Sequence, residues 1–146
     1  MRIVNDRTVS SEPRLGLPMT KYEDLVGSVT HFIHNAWHMS VKRPLAGFES
    51  QFQVVRNLID FASDAVSYRP GTLQLTFQVI SSIGVVGNYG VESGQMKKKI
   101  VPEDKVDIDS VLPIGYGEAK WGCERMLDET LHRYPDQLRT MAVRLG

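Results

Sequence analysis

A tyrosine and a lysine stand four residues apart in the run Tyr116-Gly-Glu-Ala-Lys120, within a segment whose apolar spacing predicts a helix. Residues with this spacing lie about 40° apart around a helix axis and one turn along it, so the phenol and the ammonium share one side. A cation at that distance favours the phenolate and lowers the tyrosine pKa from about 10 toward neutral pH. Such a tyrosine can donate a proton to a carbonyl oxygen while a hydride reaches the carbonyl carbon.

A serine pair, Ser81-Ser82, closes the β-rich segment that precedes this helix in the chain. The hydroxyl of Ser82 is expected to hydrogen-bond the same carbonyl oxygen and to hold the carbonyl in line for the tyrosine. A Tyr-x-x-x-Lys spacing alone is a weak signal, because chance often supplies it. Behind a parallel strand that ends in two serines, the spacing becomes more specific for carbonyl reduction.

Three β-rich segments alternate with two amphipathic segments, and this order predicts how the chemical groups are positioned. Strands are expected at 29–36, 72–80 and 139–145, and helices at about 48–62 and at 116–134. This order is typical of right-handed crossovers and a parallel sheet. The predicted fold class is therefore α/β, a partial Rossmann-like parallel sheet of about three strands with flanking helices. Ligands bind such sheets where strands end, and Asn35, Ser81-Ser82 and Tyr116 fall at those ends or just beyond them.

Composition limits the classes of function. Lys+Arg and Asp+Glu number 17 each, so no net charge attracts the chain to nucleic acid or to an anionic membrane. The one basic run, Lys97-Lys98-Lys99, lies in the aperiodic segment 90–112, which is expected to be a long, solvated surface loop. No apolar run approaches the ~18–20 residues that span a bilayer. The single cysteine, Cys123, excludes an intramolecular disulfide and favours a reducing, cytoplasmic compartment.

Four sequence blocks resemble successive motifs of extended short-chain dehydrogenases. They are Phe32-Ile-His-Asn-Ala-Trp37, Val79-Ile-Ser-Ser-Ile-Gly-Val-Val-Gly87, Gly115-Tyr-Gly-Glu-Ala-Lys-Trp-Gly-Cys-Glu124 and Val143-Arg-Leu-Gly146. The His-Asn-Ala-Trp block, the Lys-Trp-x-x-Glu sequence and Arg14-Leu-Gly-Leu17 make the chain more narrowly similar to one branch. That branch is the thioester reductase domains of fungal nonribosomal-peptide-synthetase-like enzymes and carboxylic acid reductases. The resemblance covers about residues 14–146, with the segment 90–112 unmatched.

The resemblance implies NADPH-dependent reduction of an acyl thioester, which a carrier protein holds on its phosphopantetheine arm, with release of an aldehyde or an alcohol. It also implies that Ser82 binds the carbonyl, that Tyr116 donates the proton, and that Lys120 lowers the tyrosine pKa and holds the nicotinamide ribose. By the same resemblance, three further residues are expected along the cofactor: Asn35, Ala36 and Ser81.

No metal is expected, because His31 and His34 lie three residues apart on a strand and therefore point to opposite faces. Trp37 and Trp121 are expected to be packing residues.

The chain also departs from the family pattern. The family opens with Thr-Gly-x-x-Gly-x-x-Gly, which binds the cofactor pyrophosphate at a helix N-terminus, and no such block precedes Val29. Glycines at 84, 87 and 90 have a similar spacing, but no helical pattern follows them, so a loop behind the active-site serine is expected there. A helix position often filled by Asn is Gln51. Residues 1–146 are therefore expected to be the central to C-terminal part of an NAD(P)-binding reductase domain, lacking the glycine-rich loop and the substrate-binding region.

Two other interpretations stay open. In one interpretation the chain is a non-catalytic remnant that serves at most as an interaction module. In the other it is a relative of sugar-nucleotide epimerases and dehydratases. The latter share Ser, Tyr and Lys but not the Asn-Ala-Trp and Lys-Trp context. If the usual strand order holds, the strand at 29–36 also lacks its neighbour, the first strand of the family, which leaves an apolar edge with unpaired N–H and C=O groups.

Overall fold

The chain folds around a three-stranded parallel sheet in a computed structural model that describes residues 9–69, 71, 74–92, 95–96, 100–131 and 133–146. Its strands, in chain order, are β1 (His31–His34), β2 (Leu75–Ser82), β3 (Val91–Glu92), β4 (Gln95–Met96) and β5 (Leu138–Leu145). The parallel sheet has the order β1-β2-β5, and β3 and β4 form a separate antiparallel pair. The predicted α/β class with three parallel strands is confirmed.

Three helices accompany the sheet within the described part of the chain: α1 (Met19–Ser28), α2 (Glu49–Tyr68) and α3 (Gly115–Leu131). Short 3₁₀ turns lie at Pro13–Gly16, Leu45–Phe48, Ile83–Val86 and Ile108–Ser110. Because α2 connects β1 to β2 and α3 connects β2 to β5, both parallel pairs are joined by a helical crossover, as parallel strands require. The predicted helix at 48–62 continues to Tyr68, and the helix predicted at 116–134 ends at Leu131.

Side chains alternate along β2, and this alternation defines the core. Leu75, Phe77 and Val79 are fully buried toward the helices, whereas the intervening side chains are half-buried on the opposite face. The buried set packs in one cluster with Ala62 of α2 and Leu127 of α3. Burying each large apolar side chain in such a cluster stabilises the fold by roughly 1.5–3 kcal/mol, so the strand and both helices hold one another in place.

Strand boundaries differ from the predicted ones at the site. The first strand is shorter than 29–36, and Asn35 and Ala36 follow its end. β2 continues past Ile80, so Ser81 and Ser82 pair with Arg144 and Leu145 of β5 instead of following the strand. The extra pairing is possible because β5 is as long as β2 and offers backbone partners to both serines. The predicted strand positions 72 and 73 lie outside the described residues.

Described residues of the segment 90–112 pack into the fold, whereas the sequence predicts a surface loop. Val106 and Val111 are buried and pack with Val85 in a second apolar cluster. The indole Nε1 of Trp121 donates a hydrogen bond of 2.8 Å to the carbonyl oxygen of Val106, so this tryptophan packs as expected and also anchors the segment to α3. Isolated buried residues do not recur at a regular spacing, so the sequence shows no periodic pattern that would predict this packing. The basic run at 97–99 lies outside the described residues.

The exposed edge of β1 leads to a first prediction. Among the described residues β1 pairs only with β2, and its Ile33 is 64% exposed. Because an apolar, unpaired strand edge templates pairing with another chain, we expect the purified 146-residue chain to sediment mainly as dimers and larger species. Ile33→Lys is expected to shift the distribution toward monomer, whereas Ile100→Lys, at an exposed position outside the sheet, leaves it unchanged. A monomeric wild-type chain with a cooperative melt would contradict this.

Candidate active site

Glycines on both sides of Tyr116 set its position at the first turn of α3. A Cβ atom on Gly115 would overlap the backbone carbonyl oxygen of Arg43, and one on Gly117 would lie 3.2 Å from the carbonyl oxygen of Gly84. The absence of these Cβ atoms lets the helix start lie directly between two backbone segments. One segment precedes the Leu45–Phe48 turn and the other follows β2, so Tyr116 is brought to the strand end that carries the serine pair.

Lys120 lies between the end of β2 and the aromatic side chains near Tyr116. Its Nζ donates a hydrogen bond of 2.6 Å to the carbonyl oxygen of Ile80. The same atom lies 4.3 Å from the ring centroid of Trp37 and 5.8 Å from that of Tyr116. Aromatic faces attract cations at these distances. Trp37 therefore packs, as its residue type predicts, and also supports the ammonium.

Burial sets the charge state of this lysine. The Lys120 residue is 3% exposed, and desolvation lowers its pKa from 10.5 to about 8, although Cys123 and Glu124 oppose the shift. The ammonium is thus still mostly protonated at pH 7, and a positive charge lies beside the tyrosine ring. Burial also raises the pKa of the Cys123 thiol to about 12, so this cysteine is an unreactive packing group at neutral pH.

An aromatic row connects β1 to the tyrosine. His34 is buried, and its ring centroid lies 6.2 Å from that of Trp37. Trp37 stacks on Phe48 at 6.2 Å, and Phe48 meets the Tyr116 ring edge-on at 6.2 Å. Burial and the charge of Lys120 lower the pKa of His34, which keeps its imidazole neutral at neutral pH. The row holds the tyrosine ring by packing and adds no second charge to the site.

Ser82 is the last residue of β2 and caps the turn that follows it. Its Oγ accepts a hydrogen bond of 3.1 Å from the backbone N–H of Gly84. A hydroxyl that accepts through one lone pair keeps its own proton for donation, so Ser82 can still donate to a carbonyl oxygen. The glycine-dotted segment behind it forms the Ile83–Val86 turn and leads to β3 rather than to a helix. The expected loop behind the serine is therefore confirmed.

Ser81 belongs to a buried polar network that the sequence did not indicate. Its Oγ donates a hydrogen bond of 2.5 Å to Glu124 Oε1. Arg144 holds the same carboxylate through Nε at 3.2 Å and Nη2 at 2.8 Å. Glu124 and Arg144 lie in the sequence blocks of the resemblance, which implies no role for either residue. The available signal was the four-residue spacing of Glu124 from Lys120 on one helix face, together with a charged residue inside an apolar strand.

The remaining predicted site residues lie at the same edge of the sheet. Asn35 and Ala36 are exposed directly after β1, at the carboxyl end of the parallel strands. A groove of about 320 Å³ lies beside the tyrosine, lined by Met39, Ser40, Val41, Lys42 and Tyr116. The structure therefore brings Ser82, Tyr116 and Lys120 to one edge with Asn35 and Ala36, while the hydroxyl of Ser81 faces Glu124 in the interior. The predicted roles of these residues stay predictions.

This edge fits one half of a dinucleotide better than the other. His34 Nε2 and Trp37 Nε1 are buried without a hydrogen-bond partner among the described residues, so they leave polar atoms beside Lys120 that a bound hydroxyl group or water would satisfy. Neither β1 nor β2 leads through a glycine-rich turn straight into an α-helix, so within residues 9–69 and 74–92 the pyrophosphate half lacks its usual anchor. The nicotinamide and ribose half therefore fits the residues present.

Two other kinds of site are absent from the described residues. No group of three or more His, Cys, Asp or Glu side chains there has the arrangement of a metal site. His31 is exposed and His34 is buried, as expected for strand residues three apart. None of the helices in the described ranges is long and apolar enough to cross a membrane.

The described strands and helices define the chain as an α/β protein with a Rossmann-like parallel sheet, and Tyr116 and Lys120 lie at the carboxyl edge of that sheet. The chain belongs to the NAD-binding family described as male sterility protein, whose profile matches residues 8–146. The relatedness to reductase domains predicted from the four sequence blocks is thereby confirmed. The family supports a nicotinamide cofactor without distinguishing NADPH from NADH.

Curated relatives are fungal polyketide synthases. The chain is 63% identical over 143 residues to the non-reducing polyketide synthase pgmA of Aspergillus terreus, covering 96% of this chain and 6% of that protein. It is 59% identical over 140 residues to fsr1 of Gibberella fujikuroi, covering 96% of this chain and 6% of that protein. It is 53% identical over 137 residues to the citrinin polyketide synthase of Monascus ruber, covering 94% and 5%. The chain thus spans only 5–6% of the length of these relatives.

A solved structure supports the same fold. The terminal R domain from the myxalamid PKS-NRPS biosynthetic pathway matches the chain with a TM-score of 0.68 at 20% identity. The match covers 95% of this chain and 32% of that chain. At this level of identity the likeness shows the fold alone.

Proposed function

We propose that the chain supplies the catalytic centre of a reductase that uses NADPH to release a carrier-bound acyl thioester as an aldehyde or an alcohol. The observation that carries this proposal is the buried Lys120 ammonium, held by the Ile80 carbonyl oxygen at 2.6 Å and 5.8 Å from the Tyr116 ring centroid. Identity of 53–63% to fungal polyketide synthases supports the thioester as substrate. The family resemblance supplies the choice of NADPH and of a phosphopantetheine arm.

Each residue has a distinct task in the proposed reaction. NADPH, when bound, supplies the hydride that is added to the carbonyl carbon. Tyr116 donates a proton to the carbonyl oxygen, and Ser82 holds that oxygen with the hydroxyl proton that its bond to Gly84 leaves free. The charge of Lys120 favours the phenolate that remains. Asn35 and Ala36 contact the cofactor from the end of β1, and the Tyr116 groove admits the thioester.

The atoms of the reaction balance. Hydride on the carbonyl carbon and a proton on the oxygen convert the thioester into a hemithioacetal. Cleavage of its C–S bond gives the aldehyde, and the hydroxyl proton passes to sulfur to give the free thiol of the carrier arm. Solvent returns a proton to the Tyr116 phenolate. Conversion of the aldehyde into an alcohol would take a hydride from a second NADPH and a proton from the reprotonated Tyr116.

The proposed role in the polypeptide is the central to C-terminal part of an NAD(P)-binding reductase domain. The residues proposed here as reducing groups lie at the carboxyl edge of the described sheet, whereas the described strands lack the glycine-rich turn that holds a pyrophosphate. The 5–6% share of the relatives' length supports a domain that works within a larger protein. Its partner is then a carrier protein domain in the same assembly.

The test measures NADPH binding by calorimetry and NADPH consumption with an acyl pantetheine thioester. It compares the 146-residue chain with the chain joined to the sequence that its gene encodes on either side. We expect the joined protein to consume NADPH and thioester and to release free thiol, and the chain alone to bind NADPH weakly. Folded joined protein that leaves the thioester intact would favour the non-catalytic alternative. Turnover of a nucleoside-diphosphate sugar instead would favour the epimerase-like alternative.

A further inference from the structure

We propose that Glu124 is a positioning residue that fixes α3, which carries Tyr116, against the end of β2, which carries Ser82. The inference rests on the proposed function, because it concerns the relative placement of two groups that act on one carbonyl. Glu124 touches neither substrate nor cofactor in this proposal. Its effect passes through Ser81 and through the helix that it shares with Lys120.

Two side chains of α3 hold two adjacent residues of β2. Lys120 Nζ binds the carbonyl oxygen of Ile80 at 2.6 Å, and Glu124 Oε1 accepts from Ser81 Oγ at 2.5 Å. Lys120 and Glu124 lie one helical turn apart on the same face. Two hydrogen bonds one turn apart restrain the helix against both sliding and rotation, in addition to the apolar packing of α3. The pair therefore sets the distance between the first turn of α3 and the last residue of β2.

The carboxylate itself is held firmly. Glu124 is 8% exposed, and Arg144 of β5 binds it through Nε at 3.2 Å and Nη2 at 2.8 Å. Nη2 also donates to the carbonyl oxygen of Asp104 at 3.1 Å. Hydrogen bonds between charged groups are short and strong when little water competes with them. Glu124 thus joins α3 to β2 and β5, and through Arg144 to the segment before α3.

The charge of Glu124 also acts on Lys120. The groups that face the ammonium are the Glu124 carboxylate, the Cys123 thiol and the Tyr116 phenol from α3, and the neutral His34 imidazole from β1. Burial lowers the Lys120 pKa to about 8, and Glu124 opposes that shift. Replacing the carboxylate by an amide should therefore lower the Lys120 pKa further. This readout does not depend on turnover.

The test compares Glu124→Gln with Glu129→Gln in the joined protein of the thioester assay. Glu129 is exposed on the same helix, so the control loses an equal charge outside the network. For Glu124→Gln we expect kcat to fall roughly 10- to 100-fold with a nearly unchanged KM for NADPH, because small displacements of reacting groups have effects of this size. NMR titration of the ¹³Cε of Lys120 should show a lower pKa. Glu129→Gln should change neither quantity.

A second variant removes the hydrogen bond between Ser81 and Glu124 and leaves the ion pair between Glu124 and Arg144 in place. Ser81→Ala removes one hydroxyl and keeps Glu124 bound to Arg144, so it decides the matter if Glu124→Gln does not fold. We expect a roughly tenfold fall in kcat and a nearly unchanged Lys120 pKa. An unchanged kcat in folded Ser81→Ala would overturn the proposal.

Failure of the proposed function is distinguishable from failure of this inference. If the unsubstituted protein reduces no thioester, NMR of the folded protein still reports the placement of α3. The positioning role predicts that the Tyr116 ring and Ser82 amide resonances shift in both Glu124→Gln and Ser81→Ala, and stay in place in Glu129→Gln. Resonances that stay in place in all three variants would overturn the inference.

Discussion

Replacing Tyr116 by Phe is expected to lower kcat for thioester reduction about 10²- to 10⁴-fold, the usual effect of removing a positioned general acid. The substitution removes only the phenolic O–H, and the ring keeps its edge-on contact with Phe48 at 6.2 Å. The affinity for NADPH should therefore change little. Steady-state kinetics with an acyl pantetheine thioester and calorimetry with NADPH measure the two quantities separately.

Tyr89→Phe is the matched control for this substitution. Tyr89 is also half-buried, but it packs against the second apolar cluster, which does not include Lys120. Its loss of a hydroxyl should leave kcat unchanged. If Tyr116→Phe keeps the activity of the unsubstituted protein, another group donates the proton and the assignment of Tyr116 is wrong.

Replacing Lys120 by Met is expected to abolish most of the turnover and to change how stability depends on pH. In the folded chain burial lowers the Lys120 pKa to about 8, whereas the unfolded chain has the ordinary value of 10.5. Between these two pH values the unfolded chain binds more protons, so the free energy of unfolding rises with pH. Below pH 8 the lysine is protonated in both states, and the burial of its charge opposes folding in full. Met fills similar space without that charge, so the rise should disappear.

The size of this effect is measurable by denaturation. A shift from 10.5 to about 8 corresponds to roughly 3–4 kcal/mol at the rate of ~1.4 kcal/mol for each pKa unit. Urea titrations of the wild type and Lys120→Met at pH 7 and pH 10 give the difference, because every other titrating group is common to both proteins. Arg56→Met, which removes an exposed positive charge from α2, should follow the wild-type profile. Parallel profiles for Lys120→Met and the wild type would contradict the effect of burial.

The sequence by itself determined the fold class and the set of residues at the sheet edge, because their signals are local. The apolar spacing along α2 and the β-rich composition of β2 and β5 each lie within a single element. The spacing of Tyr116 and Lys120 is likewise a property of one helix, as the observed α3 confirms. The sequence after the glycine run at 84–90 lacks a helical period, and the run leads to β3 instead of to a phosphate-binding helix start.

Only the tertiary structure decided which side chains meet across elements. The sequence predicts Ser81 beside the cofactor, and that role stays a prediction. The structure alone shows that β2 extends through Ser82 and that strand alternation turns the Ser81 hydroxyl inward to Glu124. The sequence likewise does not predict that the Trp37 ring packs against the Lys120 ammonium. The physical reason is that burial and charge at Lys120 depend on atoms from β1, β2 and α3 together. The residue spacing within one element does not predict contacts between side chains of different elements, because those contacts depend on how the elements pack.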